Sequence, residues 1–82
     1  MLEIKKEPSF LKTISKIKDN SLKEKVIKQI KKIIKSPEIG KPMRYGRKGT
    51  RESYVSPYRI SYSYIEQDNL LIFLDIYHKD QQ

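Results

Sequence analysis

Leu2 and Ile4 alternate with Glu3 and Lys5, the two-residue period of a short strand. Pro8 then opens a helix, because the first helical turn has no use for the N–H that proline lacks. Over residues 8–18 the apolar period lengthens. Phe10, Leu11, Ile14 and Ile17 recur at three and four, which predicts an inward stripe with Lys12, Lys16 and Lys18 outside. Asp19-Asn20 breaks that helix, and Ser21-Leu22-Lys23-Glu24 reads as the capping box of a second. Val26, Ile27, Ile30, Ile33 and Ile34 form its stripe, lysines 23, 25, 28, 31, 32 and 35 cover the remainder, and Pro37 stops it. So short a link predicts an antiparallel helical hairpin.

From Ile39 the pattern changes again. Gly40, Lys41-Pro42, Gly46 and Gly49 punctuate a basic loop, and three strands are predicted to follow. Residues 51–56 are extended, with Pro57 at an edge or turn. Residues 58–65 alternate: Ile60, Tyr62 and Tyr64 suit a core face, and Arg59, Ser61 and Ser63 point away from it. Gln67-Asp68-Asn69 makes a tight turn, and residues 70–77 are the most apolar strand, hence central. This order predicts an α+β fold: an N-terminal strand, a two-helix hairpin, then a three-stranded antiparallel meander, all in one sheet with the helices on one face. On the opposite face Arg59, flanked by small hydroxyls, either leaves room for a ligand or pairs with Glu52, Glu66 or Asp75.

The chain's 82 residues suffice for one domain, residues 1–82, with no room for a second core. Without cysteine there are no disulfides and no thiolate metal sites. The longest apolar run, Leu70 to Leu74, is far too short to cross a bilayer, and the N-terminus carries no signal core. A soluble, cytoplasmic protein with no membrane association is expected. The net charge of +8 favours nucleic acid or an acidic protein segment as partner, although a solvated lysine surface gives the same composition.

The placement of the cations is more selective than their number. Eleven lysines and no arginine precede residue 37, whereas Arg44, Arg47, Arg51 and Arg59 fall within sixteen consecutive residues. Guanidinium is a flat fork that holds phosphate through two parallel hydrogen bonds, which lysine cannot do. The sole histidine, His78, ends the last hydrophobic run, and imidazole is a side chain suited to exchanging protons with a substrate. Together these residues point to a phosphodiester as ligand.

The segment Tyr58-Arg59-Ile60-Ser61-Tyr62, preceded by a glycine-bounded turn and an extended basic strand, resembles the core motif of the RelE/ParE toxin superfamily. Lys41-Pro42-Met43-Arg44 is similar to that family's lysine-proline-leucine-basic lead-in, and Tyr77-His78-Lys79 resembles the terminus of its HigB-like and YoeB-like branches. The resemblance implies the RelE-like fold and a toxin of a type II toxin-antitoxin system. It also implies ribosome-dependent cleavage of mRNA without metal or cofactor, by attack of the 2′-hydroxyl on the adjacent phosphorus to leave a 2′,3′-cyclic phosphate.

By the same resemblance Arg59 is the phosphate clamp, His78 an acid or base, and Tyr77 a stacking or proton-transfer group. Arg51 is a further catalytic candidate, and Arg44, Arg47 and Lys48 are candidate RNA and phosphate contacts. The expected partners are a cognate acidic antitoxin and mRNA on the ribosome, with ribosomal RNA touching the lysine-rich helices. Two departures stand out. Where the family often has alternating basic residues, this chain has Glu52 and Tyr54, with Arg51 one position out of phase; Ser56 replaces a frequent glycine. Either a bulge restores Arg51, or Glu52 acts as a general base. The alternatives are a ParE-like DNA gyrase inhibitor and a non-catalytic basic RNA-binding module.

Overall fold

The computed structural model of the chain describes residues 2–43 and 49–78. Strand β1 (Glu3–Lys6) leads into helix α1 (Pro8–Lys16), and α2 (Asn20–Lys35) follows after the link through Ile17. A single 3-10 turn (Pro37–Ile39) and the two-residue strand β2 (Lys41–Pro42) precede the hairpin of β3 (Thr50–Val55) and β4 (Tyr58–Ile65), and β5 (Leu70–His78) closes the chain's order. The five strands form one sheet in the order β1-β5-β4-β3-β2. The predicted N-terminal strand and meander are present as β1 and as antiparallel β3, β4 and β5; what the sequence pattern did not define is the parallel pairing of β1 with β5 and the edge strand β2, antiparallel to β3.

The helices start where local chemistry satisfies their free N–H groups. Pro8 opens α1, and the Ser9 hydroxyl donates to the Leu74 carbonyl at 2.8 Å, tying that turn to β5. The start of α2 corrects the capping-box expectation. Asp19, not Ser21, is the cap: its backbone is extended and its Oδ1 accepts from the Leu22 N–H at 3.1 Å.

Helix α1 packs on β5 and α2 on β3. Between them and the sheet, Phe10, Ile17, Val26 and Ile33 meet Ile60, Tyr62, Leu71, Phe73 and Ile76, all buried. Phe10 stacks on Phe73 with ring centroids 4.9 Å apart. Leu11 and Ile27 do not belong to this core; they are 50% and 40% exposed. Each lies about 100° around its helix from a buried residue one position earlier, Phe10 or Val26, so it falls at the rim of the stripe. Ile14, Ile30 and Ile34 pack against the core as predicted.

Candidate functional site

Directly opposed residues of an antiparallel pair put their side chains on the same face. Ile60 and Tyr62 of β4 are completely buried under the helices, so the residues opposite them, Ser53 and Arg51 of β3, face the helices as well. Ser53 accordingly accepts from the amide of Gln29 on α2. Glu52, Tyr54, Arg59 and Ser61 occupy the other face. On β5 the alternation is inverted by a bulge. Ser61 opposes Asp75 while Tyr62 opposes Phe73, leaving Leu74 as the extra residue, and Asp75 Oδ1 accepts from the Ile76 N–H at 2.8 Å.

That bulge decides which end residue joins Arg59. Strict alternation from Leu71 and Phe73 would turn Asp75 and Tyr77 into the core. With the extra residue, Ile76 is buried and Tyr77 stands directly opposite Arg59. His78 stands opposite Tyr58 instead, with ring centroids 5.8 Å apart in an edge-on contact. Of the two tail residues expected to act with Arg59, the geometry therefore keeps one and corrects the other. Tyr77 shares the face of Arg59, and His78 lies on the helix side beside a tyrosine that packs against the core.

Arg59 lines an open groove of about 850 Å³ together with Ile39, Lys41, Pro42, Met43, Glu52 and Tyr54. Its side chain is one-third exposed, and its Nη1 lies 3.4 Å from Oε1 of Glu52, a carboxylate that is 6% exposed. Of the pairings open from sequence, Glu52 is the one that forms. A carboxylate this buried requires a compensating cation. The Arg59 Nε is also buried and has no hydrogen-bond partner among the described residues; it is the exposed third of the side chain, not this atom, that can meet a ligand in the groove.

The far wall of the groove is held in place from beneath. The Tyr62 hydroxyl donates to the Pro37 carbonyl and accepts from the Gly40 N–H, both at 2.8 Å. Arg51 Nη1 donates to the carbonyls of Gly40 at 2.9 Å and Glu38 at 3.1 Å. Burial pushes the Tyr62 phenol above its ordinary pKa, against smaller opposing pulls from the Gly40 bond and the Arg51 charge. A Cβ on Gly40 would collide with that hydroxyl, so only glycine permits the approach. No bulge returns Arg51 to the groove: it faces the helix side and fastens the turn.

Arg44, Arg47, Lys48 and Lys79 lie outside the described residues. Of the groove's residues, Lys41, Pro42 and Met43 stand out in the sequence only as part of a lead-in motif, and Tyr54 only as a departure from a basic pattern, its odd spacing from Arg59 across a two-residue turn being the available signal. Ile39 gives none, because the turn that places it depends on contacts with Tyr62 and Arg51 far along the chain. Among the described residues, no three His, Cys, Asp or Glu side chains gather as metal ligands, and no helix is long and apolar enough to cross a membrane.

Comparison with known proteins places this geometry in context. The family model for the ParE toxin of the type II toxin-antitoxin system parDE matches residues 4–82. No curated protein matches the chain in sequence. Among solved structures, the intact Escherichia coli RelBE toxin-antitoxin complex contains a similar chain at 18% identity and a TM-score of 0.76, covering 93% of this chain and 94% of that one. The RelBE2 complex of Mycobacterium tuberculosis gives 18% identity and a TM-score of 0.80, with coverage of 95% and 98%. The YoeB/ParE toxin from Agrobacterium tumefaciens gives 14% and 0.80, with coverage of 94% and 98%. At these identities the structural likeness is one of fold.

Proposed function

This chain belongs to the RelE/ParE toxin superfamily, and from that premise we propose that this type II toxin is a ribosome-dependent mRNA endoribonuclease acting in the cytoplasm. The observation that carries the reading is Arg59. It is a one-third exposed guanidinium lining the groove, on the helix-free face, in register between two tyrosines and beside a buried carboxylate.

In this mechanism Arg59 binds the scissile phosphate and neutralises charge developing on its non-bridging oxygens. Glu52 takes the proton of the 2′-hydroxyl as that oxygen attacks phosphorus. The P–O5′ bond breaks in line, leaving a 2′,3′-cyclic phosphate, and Tyr77 supplies the proton to the departing 5′ oxygen. Neither step requires a metal. His78 lies outside the groove and takes no part; Arg51 supports the wall of the groove. Arg44, Arg47 and Lys48 are assigned to the RNA backbone on sequence grounds. The lysines of α1 and α2, nearly all exposed, provide a separate polycationic face for ribosomal RNA.

Primer extension on mRNA in a ribosome-programmed reaction is the test. Wild-type protein yields discrete truncations, and Arg59→Ala lowers the cleavage rate about a hundredfold or more. Uncut mRNA with wild-type protein would overturn the reading. The family model's description as ParE and the separation of His78 from Arg59 favour one other reading, inhibition of DNA gyrase. Loss of supercoiling activity with mRNA left intact would establish it.

Membership of a toxin-antitoxin family implies an antitoxin. The charge of +8 calls for an acidic one, lying on the lysine-rich helices or across the groove. Co-purification with the product of the adjacent reading frame tests this, and absence of a complex at micromolar concentration would refute it.

A further inference from the structure

Tyr54 has no role in the mechanism above, yet it is the residue directly opposite Arg59 on β3. It is 52% exposed, so the core has no need of its ring. It shares the groove with Ile39, itself 49% exposed, and with Pro42 and Met43. The slot therefore has an aromatic face, an apolar wall and a guanidinium at its floor.

A ligand that satisfies all three needs a flat π-face joined to an anion one strand spacing away, about 4.8 Å. A nucleotide within a single strand has that form. We propose that Tyr54, with Ile39, Pro42 and Met43, forms a nucleobase subsite for the base on the β3 side of the phosphate bound by Arg59. The inference rests on the reading of single-stranded RNA as substrate, and it adds a base position across the phosphate from Tyr77.

Two features favour a base over an acidic peptide. Glu52 already compensates Arg59, so an anion alone gains little there, and stacking has to supply much of the affinity. The row Tyr54–Arg59–Tyr77 also crosses three adjacent strands in register, about 10 Å from ring to ring by strand spacing. This suits a phosphodiester with a base stacked on the Tyr54 side and its leaving oxygen toward Tyr77. Recognition of this kind tolerates any base, since each has a π-face.

The test is binding, measured by NMR titration, of a 2′-O-methyl tetranucleotide, which cannot be cleaved through its 2′ oxygen. Tyr54→Ala is expected to weaken binding about ten- to a hundredfold, and Tyr54→Phe to stay within about twofold because the ring is kept. A strand abasic at one position should bind wild-type protein as weakly as the intact strand binds Tyr54→Ala, with no further loss when the two changes are combined. Unchanged binding by Tyr54→Ala, equal losses on intact and abasic strands, or no wild-type binding at millimolar concentration would overturn the subsite. So would an acidic peptide whose binding depends on Tyr54 while the RNA's does not. Because no cleavage is involved, an intact Tyr54 cycle with uncut mRNA sinks only the nuclease reading. Arg59-dependent cleavage with normal binding by Tyr54→Ala sinks only the subsite.

Discussion

Replacing Tyr62 by phenylalanine removes one oxygen and leaves the buried ring in place. That oxygen joins the sheet to the 3-10 turn through two bonds of 2.8 Å, from the Gly40 N–H and to the Pro37 carbonyl. Losing a typical hydrogen bond costs about 1 kcal/mol, and stranding a buried donor about 1–3 kcal/mol. Gly40 is buried, so the expected loss is about 2–3 kcal/mol. A chain of this size has a total stability of roughly 4–12 kcal/mol. With a urea m-value near 1 kcal/mol per molar, the unfolding midpoint should fall by about 2–3 M. A second arm uses pH. Burial raises the Tyr62 pKa, so the folded protein holds the phenolic proton to higher pH than the unfolded chain does. Its contribution is full below about pH 10 and is lost as pH rises through the raised value. Tyr62→Phe should lack that part of the alkaline decline. Gly40→Ala, which forces a Cβ against the same hydroxyl, should also destabilise. A midpoint shift below about 0.5 M, or identical alkaline limbs, would refute the claim that this hydroxyl fastens the groove wall.

Phe10→Ala, at a fully buried ring stacked on Phe73, should cost about 3–5 kcal/mol and leave the domain barely folded in thermal unfolding. Asp19→Ala should lower stability by about 1 kcal/mol and Ser21→Ala by much less; equal losses in chemical denaturation would return the cap to Ser21. Glu52→Gln should separate two functions, tightening RNA binding by releasing Arg59 while slowing cleavage by removing the proton acceptor. Faster cleavage in primer extension would show that Glu52 is not the base.

The elements the sequence defined well were those with a long repeat. The stripes Phe10-Ile14-Ile17 and Val26-Ile30-Ile33 fixed the inner face of each helix, and the alternation in β4 fixed the side of Arg59, because each pattern repeats over several residues. Edge pairing escaped. β2 has two residues, too few for any period to be distinctive, and although the alternation of Leu2 and Ile4 marks β1 as a strand, its parallel pairing depends on the chain returning past both helices. The face of the terminal residues escaped for a different reason. One inserted residue, Leu74, inverts everything after it. Its only trace is that apolar Leu71 and Phe73 are followed, two places on, by Asp75 while Ile76 is apolar. Read as a broken alternation, that trace would have sent Tyr77 outward and His78 inward.

The same face assignments give the departure at positions 52 and 54 a single meaning. A basic residue at either place would have crowded a second cation against Arg59. Here position 52 holds a buried acid paired with it, and position 54 an exposed ring across from it. Among the described residues, positive charge is concentrated instead on α1 and α2, across the sheet from the groove. In the proposed reading, attraction to a polyanion by the helices and recognition of a nucleotide by the groove are thus separated by the thickness of the sheet. The lysine face acts over a Debye length and weakens with salt, while stacking in the groove acts at contact and does not. A partner large enough to engage both faces gains from each at once. A short free strand can occupy only one, and in the proposed mechanism this is the physical reason that cleavage depends on the ribosome.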